Sequence, residues 1–590
     1  MKKAIKTLVA GILVVGLMTG CGKTNVEEKE SSSATSSATS SVASSAIESS
    51  EVVENKYPDY LNLEGHRPIV AEGEKITLTM TVANGTRTTQ PEDRWFYKFI
   101  EEVLNIDLEV DGNWNAERKN VILNSADLPD VIWTGGITPS EIVKYGQEGG
   151  LFLDLSQYIN EELTPNIVAA MEKYPDAFKQ CVSPDGAMYT LPKINYSPSQ
   201  QGTQRCYVDP AYLEAIGITS EDELPTTLEG FIDMLRAFKK LDPASMGVDE
   251  IIPLAVSGSM GGYDSLWLMQ TFGWVPAIMS YQASPTWDEA EQQVVIPCLQ
   301  DKFKDFVKCY HTLYSEGLVD EDFVTMSSEQ ATAMISEGKV AVAMVPQIQP
   351  YQPERYTEWV YYPVPLTCEY NDKPIATYVD DGITKGDIVV SAETKYIEVI
   401  MRLLDYLYSA EGTLYNLQGP LDGSEDTLGC VSGVVLANGV PTNTEVLKGE
   451  VTNYTYRRNY VALDAGMNLN ATDATILGDE RLGLTAIKNE EEYTAKAKAA
   501  SEDDPQIRAY DHFLKTNPYK VYALKDPFVT VEQAERLTDL TTVMENYVDA
   551  EMAKFVVGDR PIDELDDFMK ELQALDGQEL WDLAQDVYKR

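Results

Sequence analysis

The feature that most constrains the fold is an alternation of strand and helix patterns that begins near residue 75. Residues 75–83 alternate apolar side chains with threonines, which predicts a strand with one face turned inward. Apolar residues then predict a helix over 95–104, a strand over 106–110, a helix over 117–125 and a strand over 131–133. Strands and helices that alternate in this way are typical of a parallel α/β sheet.

The same alternation returns further along the chain. It predicts helices over 228–241 and 396–408, strands over 340–345 and 387–390, and a helical C-terminus with apolar residues spaced along 562–575. We find no regular repeat with a period of about 20 to 50 residues, which argues against solenoids and propellers. For a chain of 590 residues, this organisation fits two large lobes as well as four smaller domains.

The N-terminus has the pattern of a secretory signal peptide. Three lysines precede an apolar run, and the small pair Thr19–Gly20 stands ahead of Cys21, an arrangement that resembles the lipobox of bacterial lipoproteins. We therefore expect residues 1–20 to be removed and Cys21 to carry a lipid. A stretch dominated by Ser, Thr, Ala and Glu follows, so residues 21–70 are predicted to form a flexible tether.

Acidic residues dominate the charge of the chain. It has 94 Asp and Glu against 47 Lys and Arg, a formal net charge of −47, and removal of residues 1–20 with their three lysines takes this to −50. Such a surface repels phosphate, which argues strongly against nucleic acid as a partner. Hydrophobic residues make up 44% of the chain, which is ordinary for a globular protein and distinguishes it from a disordered acidic one.

The sequence lacks the common motifs of catalysis. The three histidines, His66, His311 and His512, are far apart, so no zinc-binding spacing exists. There is no G-x-x-x-x-G-K-[ST] and no G-x-G-x-x-G behind a strand, so nucleotide binding is not indicated. A carboxylate pair of the kind that glycosidases use stays open as an alternative, because its separation in space is not visible in a sequence.

Four segments follow one another along the chain: 124–133 (NSADLPDVIW), 149–155 (GGLFLDL), 185–192 (DGAMYTLP) and 225–231 (PTTLEGF). In this order they resemble the landmarks of family 1 extracellular solute-binding proteins, the capture subunits of sugar ABC importers. Residues 557–590 are similar to the closing helices of the long oligosaccharide-binding lipoproteins. The resemblance thus extends over nearly all of the chain after the predicted tether.

The resemblance implies a two-lobed α/β fold of the periplasmic-binding-protein type. The lobes would close over a ligand like a clamshell, with several hinge crossovers between them and a helical extension at the C-terminus. By analogy, lobe one would hold residues 71–194 and 377–419, and lobe two residues 195–376 and 420–590. The strand and helix alternation agrees with such lobes, although it does not by itself give the crossovers.

Long members of the family carry a calcium loop, and the segment DPASMGVDE stands in its place here. Calcium takes about six to eight oxygen ligands. Asp242, Asp249 and Glu250 offer carboxylates, but Ala244 and Met246 have no side-chain oxygen. We therefore expect no metal and no cofactor, with a weak calcium site at the three acids as the alternative.

The candidate ligand-binding residues are aromatic, amide and charged side chains, most of them near the carboxyl ends of predicted strands, where open α/β sheets bind ligands. Trp133 ranks first, because it closes the third strand and the family places sugar contacts there. Aromatic rings stack on sugar faces, while acids and amides bind hydroxyls. The full set is Trp133, Arg87, Trp114, Tyr263, Trp267, Gln347, Asp380 and Asp381.

These features together predict a membrane-tethered extracellular lipoprotein that captures a carbohydrate, foremost an oligosaccharide, and delivers it to an ABC importer without performing chemistry. Its partners would be the sugar, the permease subunits and, through the lipid, the outer face of the bacterial cell membrane, and we expect a monomer. The alternatives are an exported glycoside hydrolase or lyase, and a binding protein for peptides or other solutes.

Replacement of Cys21 by Ala tests the predicted lipid anchor. The variant should accumulate as an unprocessed or mislocalised precursor, because the thiol of Cys21 is the group that would be alkylated. Metabolic labelling with a fatty acid, followed by detergent phase partitioning, measures the outcome. Mature protein that still partitions with membranes through a lipid on this variant would contradict the prediction.

Overall fold

Two separate β-sheets organise the computed structural model of the protein, and helices pack against both of them. Residues Tyr57–Arg590 form one compact unit. The structure describes residues 56–65, 67–84, 88–194, 205–255, 263–277, 282–345, 348–349, 351–378, 382–430, 433–437, 440–444, 460–461 and 516–588.

Most strands are short, and the longest, Ile76–Val82, has seven residues. Within the described residues the strands are β1 (Ile76–Val82), β2 (Ile106–Asp111), β3 (Val131–Trp133), β4 (Lys193–Ile194), β5 (Cys206–Val208), β6 (Ile252–Ala255), β7 (Trp274–Val275), β8 (Thr286–Asp288), β9 (Gln293–Val295), β10 (Val340–Met344), β11 (Val360–Tyr361), β12 (Ala376–Tyr378), β13 (Ile383–Thr384), β14 (Ile388–Val390), β15 (Val434–Ala437), β16 (Val440–Asn443) and β17 (Lys520–Tyr522).

The helices in the same part of the chain range from a single turn to 27 residues. They are α1 (Trp95–Glu102), α2 (Ala116–Ser125), α3 (Pro139–Glu141), α4 (Pro165–Lys173), α5 (Pro175–Lys179), α6 (Pro210–Ala215), α7 (Leu228–Lys239), α8 (Tyr263–Thr271), α9 (Phe303–Ser315), α10 (Ser328–Ser336), α11 (Ile397–Tyr408), α12 (Ala410–Gln418), α13 (Val531–Val557), α14 (Leu565–Leu572) and α15 (Gln578–Val587). Among these described helices, none combines the length and the apolar character needed to cross a membrane.

The first sheet has the strand order β14-β3-β1-β2. β1 lies parallel to both β2 and β3, as the strand and helix alternation predicts, and Ile76 stands opposite Ile106. β14 joins the free edge of β3 in the antiparallel sense, with Ile388 opposite Trp133. A strand from much later in the chain therefore completes the sheet that the N-terminal part begins.

A glycine allows β14 to reach this edge. Gly386 has a φ of +79°, and a Cβ at this position would lie 1.8 Å from the carbonyl oxygen of Ile137. The amide of Ile137 donates a hydrogen bond to the Gly386 carbonyl at 2.9 Å. Since any side chain would clash with that carbonyl, only glycine permits the two loops to approach this closely.

The second sheet has the strand order β11-β5-β10-β6. β6 and β10 are parallel, with Val342 opposite Leu254. β5 is antiparallel to both of its neighbours, and Cys206 stands opposite Met344 at the carboxyl end of β10. The second sheet is therefore mixed, like the first.

Each sheet has its own hydrophobic core. The buried residues of the first core come from 61–194 and 383–461, and those of the second from 206–366 and 540–584. A further cluster that includes Ile132 and Val389 covers the opposite face of the first sheet. We call the first sheet with its two clusters lobe one, and the second sheet with its core lobe two. The predicted two-lobed α/β fold is confirmed.

The chain passes between the two cores more than once, because residues that build one core are separated in sequence by residues that build the other. Short strand pairs accompany these passages. β4 pairs with β13, and β12 pairs in the parallel sense with β17. These pairs join segments that are distant in sequence, so they tie the crossing segments to one another.

Residues 57–70 pack on lobe one, which corrects the prediction that the flexible tether extends to residue 70. Ile69 and Val70 are fully buried in the first core. The amide of Ile69 donates a hydrogen bond to the Leu104 carbonyl at 3.0 Å. The apolar pair outweighs the polar character of its surroundings, which is why composition alone misplaced this boundary. The remaining predicted tether and Cys21 lie outside the described residues.

The far boundary of lobe one also differs from the prediction. Val434 belongs to the first core, and Leu421 and Leu428 pack against it, although residues 420–590 were assigned to lobe two. These apolar side chains follow α12 directly and bury themselves against the nearest core. The closing helices α13, α14 and α15 contribute to the second core, as that assignment requires.

Arg67→Ala should lower the free energy of unfolding by about 1–3 kcal/mol, because it removes a charged partner of a buried carboxylate. Arg67 Nη2 lies 3.4 Å from Oε1 of Glu411, whose side chain is 1% exposed, and Nη1 lies 2.7 Å from Asp426 Oδ1. Lys75→Ala is the control, since its pair with Asp107 is exposed to solvent and should contribute little to stability. Denaturant unfolding measures both. Equal losses would contradict the role given to Arg67.

Candidate functional site

Lobe one presents the carboxyl ends of its parallel strands along one edge of the sheet, where open α/β sheets bind ligands. β1, β2 and β3 end there at Val82, Asp111 and Trp133. β14 runs in the opposite direction, so its first residue, Ile388, and the preceding Asp387 lie at the same edge. We call this edge, with the loops that follow β1, β2 and β3, the lobe-one edge.

A polar turn fixes the start of α1 at the lobe-one edge. The amide of Ala83 donates to Thr134 Oγ1 at 3.1 Å, which ties the end of β1 to the end of β3. The fully buried guanidinium of Arg94 donates to the side chain of Asn84 and, at 3.2 Å, to the carbonyl of Thr89. α1 begins at the next residue, so its N-terminus is held beside these strand ends.

Trp133 lies at the lobe-one edge, as predicted, but its ring is inside the protein. It is 0% exposed and belongs to the first core, between Val82 of β1 and Ile388 of β14. Its indole Nε1 is buried and has no hydrogen-bond partner. A buried donor without a partner is rare in folded proteins and costs free energy. Contact between Trp133 and a ligand stays a prediction.

Trp114 and Trp267 are also buried, at 7% and 4% exposure. The indole of Trp114 donates a hydrogen bond to the Gly135 carbonyl at 2.9 Å, so its polar group is satisfied. Trp267 packs against Phe231 and Tyr362 of the second core, with ring centroids 5.3 and 5.8 Å apart. Neither ring offers a face to solvent in this structure, and their ligand contacts stay predictions.

The other predicted site residues have no described side chain. Arg87, Gln347, Asp380 and Asp381 lie outside the described residues, and Tyr263 is described only as the first position of α8. Their proposed contacts with a ligand stay predictions as well.

Two buried amides on α12 join the candidates. Asn416 is fully buried, and neither its amide nitrogen nor its amide oxygen has a hydrogen-bond partner. Gln418 is 7% exposed, and its Oε1 is unpaired too. The ring of Tyr415 packs edge-on against Trp95 at the start of α1, with centroids 5.5 Å apart, so α12 lies beside the lobe-one edge. Polar residues near a helix end are common, so the sequence offered no signal for them.

A partly buried carboxyl lies at the same edge. Burial raises the pKa of Asp387, and the ammonium of Lys193, whose Nζ lies 3.9 Å from Oδ2, opposes this rise. The Asp387 carbonyl accepts a hydrogen bond from the Gly135 amide at 2.8 Å, which joins the segment before β14 to the loop after β3. Asp387 is therefore protonated to a higher pH than an exposed aspartate.

The chemistry available at the lobe-one edge is that of binding. The unpaired groups are an indole N–H donor, an amide that both donates and accepts, and an amide oxygen that accepts. Such groups suit a neutral ligand rich in hydroxyls, which offers donors and acceptors together. Within the described ranges, no group of three or more His, Cys, Asp or Glu side chains is arranged to hold a metal ion.

The segment at the place of the family's calcium loop forms a short helical turn. Asp242 caps this turn by accepting a hydrogen bond from the Ala244 amide at 3.2 Å. Asp249 Oδ1 lies 3.0 Å from Lys339 Nζ, and hydrogen bonding to that ammonium lowers the pKa of Asp249. Two of the three carboxylates thus have partners within the protein, and a cation would compete with them.

The fold and the polar edge define a two-lobed α/β binding protein. The family described as bacterial extracellular solute-binding protein matches residues 88–414, which is more than half of the chain. The chain therefore belongs to this family, whose members bind solutes rather than transform them.

Solved structures share the fold at low sequence identity. An extracellular solute-binding protein from Bifidobacterium longum subsp. infantis has a TM-score of 0.69 at 19% identity, covering 88% of this chain and 99% of that one. The substrate-binding protein FusA of Streptococcus pneumoniae, as an EF-hand mutant in complex with fructo-nystose, has a TM-score of 0.64 at 17% identity, covering 87% and 98%. These likenesses support the periplasmic-binding-protein type of fold.

Two curated relatives match part of the chain. The fructooligosaccharide ABC transporter substrate-binding protein FusA of Streptococcus pneumoniae is 23% identical over 45% of this chain and 48% of its own length. The polygalacturonan/rhamnogalacturonan-binding protein YtcQ of Bacillus subtilis is 23% identical over 43% and 46%. The chain spans about half the length of the curated relatives it matches.

Calcium in excess, or a chelator, should leave the melting temperature nearly unchanged. The reason is that Asp242 caps its own turn and Asp249 is paired with Lys339, so too few oxygen ligands are available. Differential scanning calorimetry of the protein with calcium and with chelator measures this. A rise of several degrees with calcium would contradict the prediction, since only binding to the native state raises stability in this way.

Proposed function

We propose that this protein captures a carbohydrate, foremost an oligosaccharide, outside the cell and delivers it to an ABC importer. It would be held through Cys21 at the outer face of the membrane. The observation that carries the proposal is the set of neutral polar groups buried without partners in lobe one, at Trp133 on the lobe-one edge and at Asn416 and Gln418 on α12. Membership of the solute-binding family supports it.

The physical reason is that unpaired buried groups are costly until something satisfies them. Each such group costs about 1–3 kcal/mol relative to its hydrated state. A sugar hydroxyl both donates and accepts, so one ligand can meet the needs of an indole N–H and an amide at the same time. Asn416 and Trp133 would then contribute hydrogen bonds that form only when the ligand is bound.

A neutral oligosaccharide is the ligand that we favour. The exported chain would carry a formal charge of −50, which opposes the approach of polyanions at long range. Trp133, Asn416 and Gln418 are themselves neutral, and the cations near this edge, Arg94 and Lys193, already have partners within the protein. The name of FusA describes a fructooligosaccharide ligand, whereas that of YtcQ describes acidic polysaccharides, so both classes belong in the test.

A ligand screen by thermal shift tests the proposal. Neutral fructo- and gluco-oligosaccharides, galacturonate oligomers and peptides are compared at low and at moderate salt. At least one neutral oligosaccharide should raise the melting temperature, because a ligand at 100 times its Kd stabilises the native state by about 2.7 kcal/mol. Chromatography of the sugar after incubation should recover it intact.

Other results of the screen would contradict the proposal. Stabilisation by galacturonates alone at both salt concentrations would overturn the preference for a neutral ligand. Stabilisation by peptides alone would overturn the carbohydrate assignment. Shortened products after incubation would support an exported glycoside hydrolase instead.

Trp133→Phe tests the indole N–H without removing the ring. The variant should bind the oligosaccharide found in the screen about 2- to 10-fold more weakly, because one hydrogen bond to the ligand is lost. Its free energy of unfolding should hardly change, because the indole N–H has no partner in the protein without ligand. Trp274→Phe is the matched control: its ring is fully buried in the second core and its N–H already donates to Gln300, so it should lose about 1 kcal/mol of stability and keep its affinity. Calorimetry and unfolding measure both. The reverse pattern would remove Trp133 from the site.

A further inference from the structure

Residues 523–530 connect β17 to α13 and contact both lobes. The amide of Ala523 donates a hydrogen bond to the carbonyl of Tyr378, the last residue of β12, at 2.9 Å. At the other end, Thr530 caps α13 by accepting a hydrogen bond from the amide of Gln533. The segment is thus held at both ends, by a crossing strand and by a helix.

One set of side chains in this segment contacts lobe one. Lys525 Nζ donates to Gln180 Oε1 at 3.1 Å and to the Ile383 carbonyl at 2.9 Å. Phe528 packs against the cluster on the outer face of the first sheet, and the ammonium of Lys385 lies 4.6 Å from its ring centroid. Lys525, through hydrogen bonds, and Phe528, through packing, therefore bind the segment to lobe one.

The two neighbours of Lys525 in the sequence contact lobe two. Leu524 packs against the second core. Asp526 Oδ1 accepts a hydrogen bond from the hydroxyl of Tyr588, which follows α15, at 3.1 Å. Lys525 on lobe one thus lies between two residues that contact lobe two, so this short segment is attached to both lobes at once.

The helix that follows belongs to lobe two but also contacts lobe one. Leu540, Met544 and Val548 on α13 are buried in the second core. Residues of α13 also contact α3 of lobe one. If the lobes rotate relative to each other, residues 523–530 cannot keep their contacts with both. The rotation must therefore strain or break the contacts with lobe one or those with lobe two.

We infer that Lys525 and Phe528 form a latch that holds the two lobes in the orientation seen here. They are positioning residues, since they act on the balance between open and closed arrangements rather than on a bound ligand. The consequence for ligand capture rests on the proposed function, but the latch itself is a property of the protein without ligand. Loosening it would increase the population of other lobe orientations and change affinity through that population alone.

The experiment uses the ligand-free, full exported domain in four variants. Lys525→Met and Phe528→Ala each remove one of the two contacts with lobe one. Lys525→Arg keeps a charged donor, and Lys554→Met is the matched control, because that exposed lysine is paired with Glu551 inside lobe two. Small-angle scattering measures the radius of gyration, and hydrogen exchange measures the amides of β12 and β17. Because both measurements use the protein without sugar, they test the latch independently of carbohydrate binding. A negative result would therefore contradict the latch without contradicting the proposed function.

Lys525→Met and Phe528→Ala should change the radius of gyration and accelerate exchange in β12 and β17 by about tenfold or more, with little change in β1 and β10 inside the two cores. Lys525→Arg and Lys554→Met should resemble the parent. Two results would overturn the latch. One is that Lys525→Met and Phe528→Ala match Lys554→Met in both measurements. The other is that exchange rises equally in the strands of both cores, which would show a general loss of stability instead.

Discussion

The antiparallel pairing of β14 with β3 is the interaction on which the architecture depends. It brings a strand from beyond the second sheet back to the first, and it is possible only because Gly386 leaves room for the carbonyl of Ile137. Because of this return, the chain crosses between the lobes more than once, and short strand pairs accompany the crossings. The pairs β4 with β13 and β12 with β17 satisfy the backbone groups of those crossing segments.

Lobe one contains buried polar groups that have no hydrogen-bond partner within the protein. These groups distinguish the candidate site from an ordinary apolar core. Trp133 is part of the core, yet its N–H has no partner, and Asn416 lies fully buried with its amide unpaired. A core optimised for stability alone would fill such positions with apolar side chains. Their retention is readily explained if a ligand completes the hydrogen bonding. The free-energy cost of the unpaired groups in the ligand-free protein is then removed when the ligand binds, which increases affinity.

The sequence predicted much of the fold because the relevant signals are local. β3 was predicted residue for residue, and α7 and α11 nearly so, since apolar periodicity reports directly on which face is buried. The lobe boundaries near residues 70 and 420 were misplaced, because the burial of Ile69 and Val434 depends on cores built by distant segments. The site was predicted only in part. The strand end at Trp133 is visible in the pattern, whereas the unpaired state of Asn416 exists only after α12 packs beside α1.

The central claim is that the unpaired groups at the lobe-one edge receive a carbohydrate. A crystal structure of the complex with an oligosaccharide that stabilises the protein tests it most directly. The account predicts sugar hydroxyls within about 3.2 Å of Trp133 Nε1 and of the Asn416 amide, with both groups now paired. A sugar bound elsewhere, with these groups still buried and without partners, would contradict it.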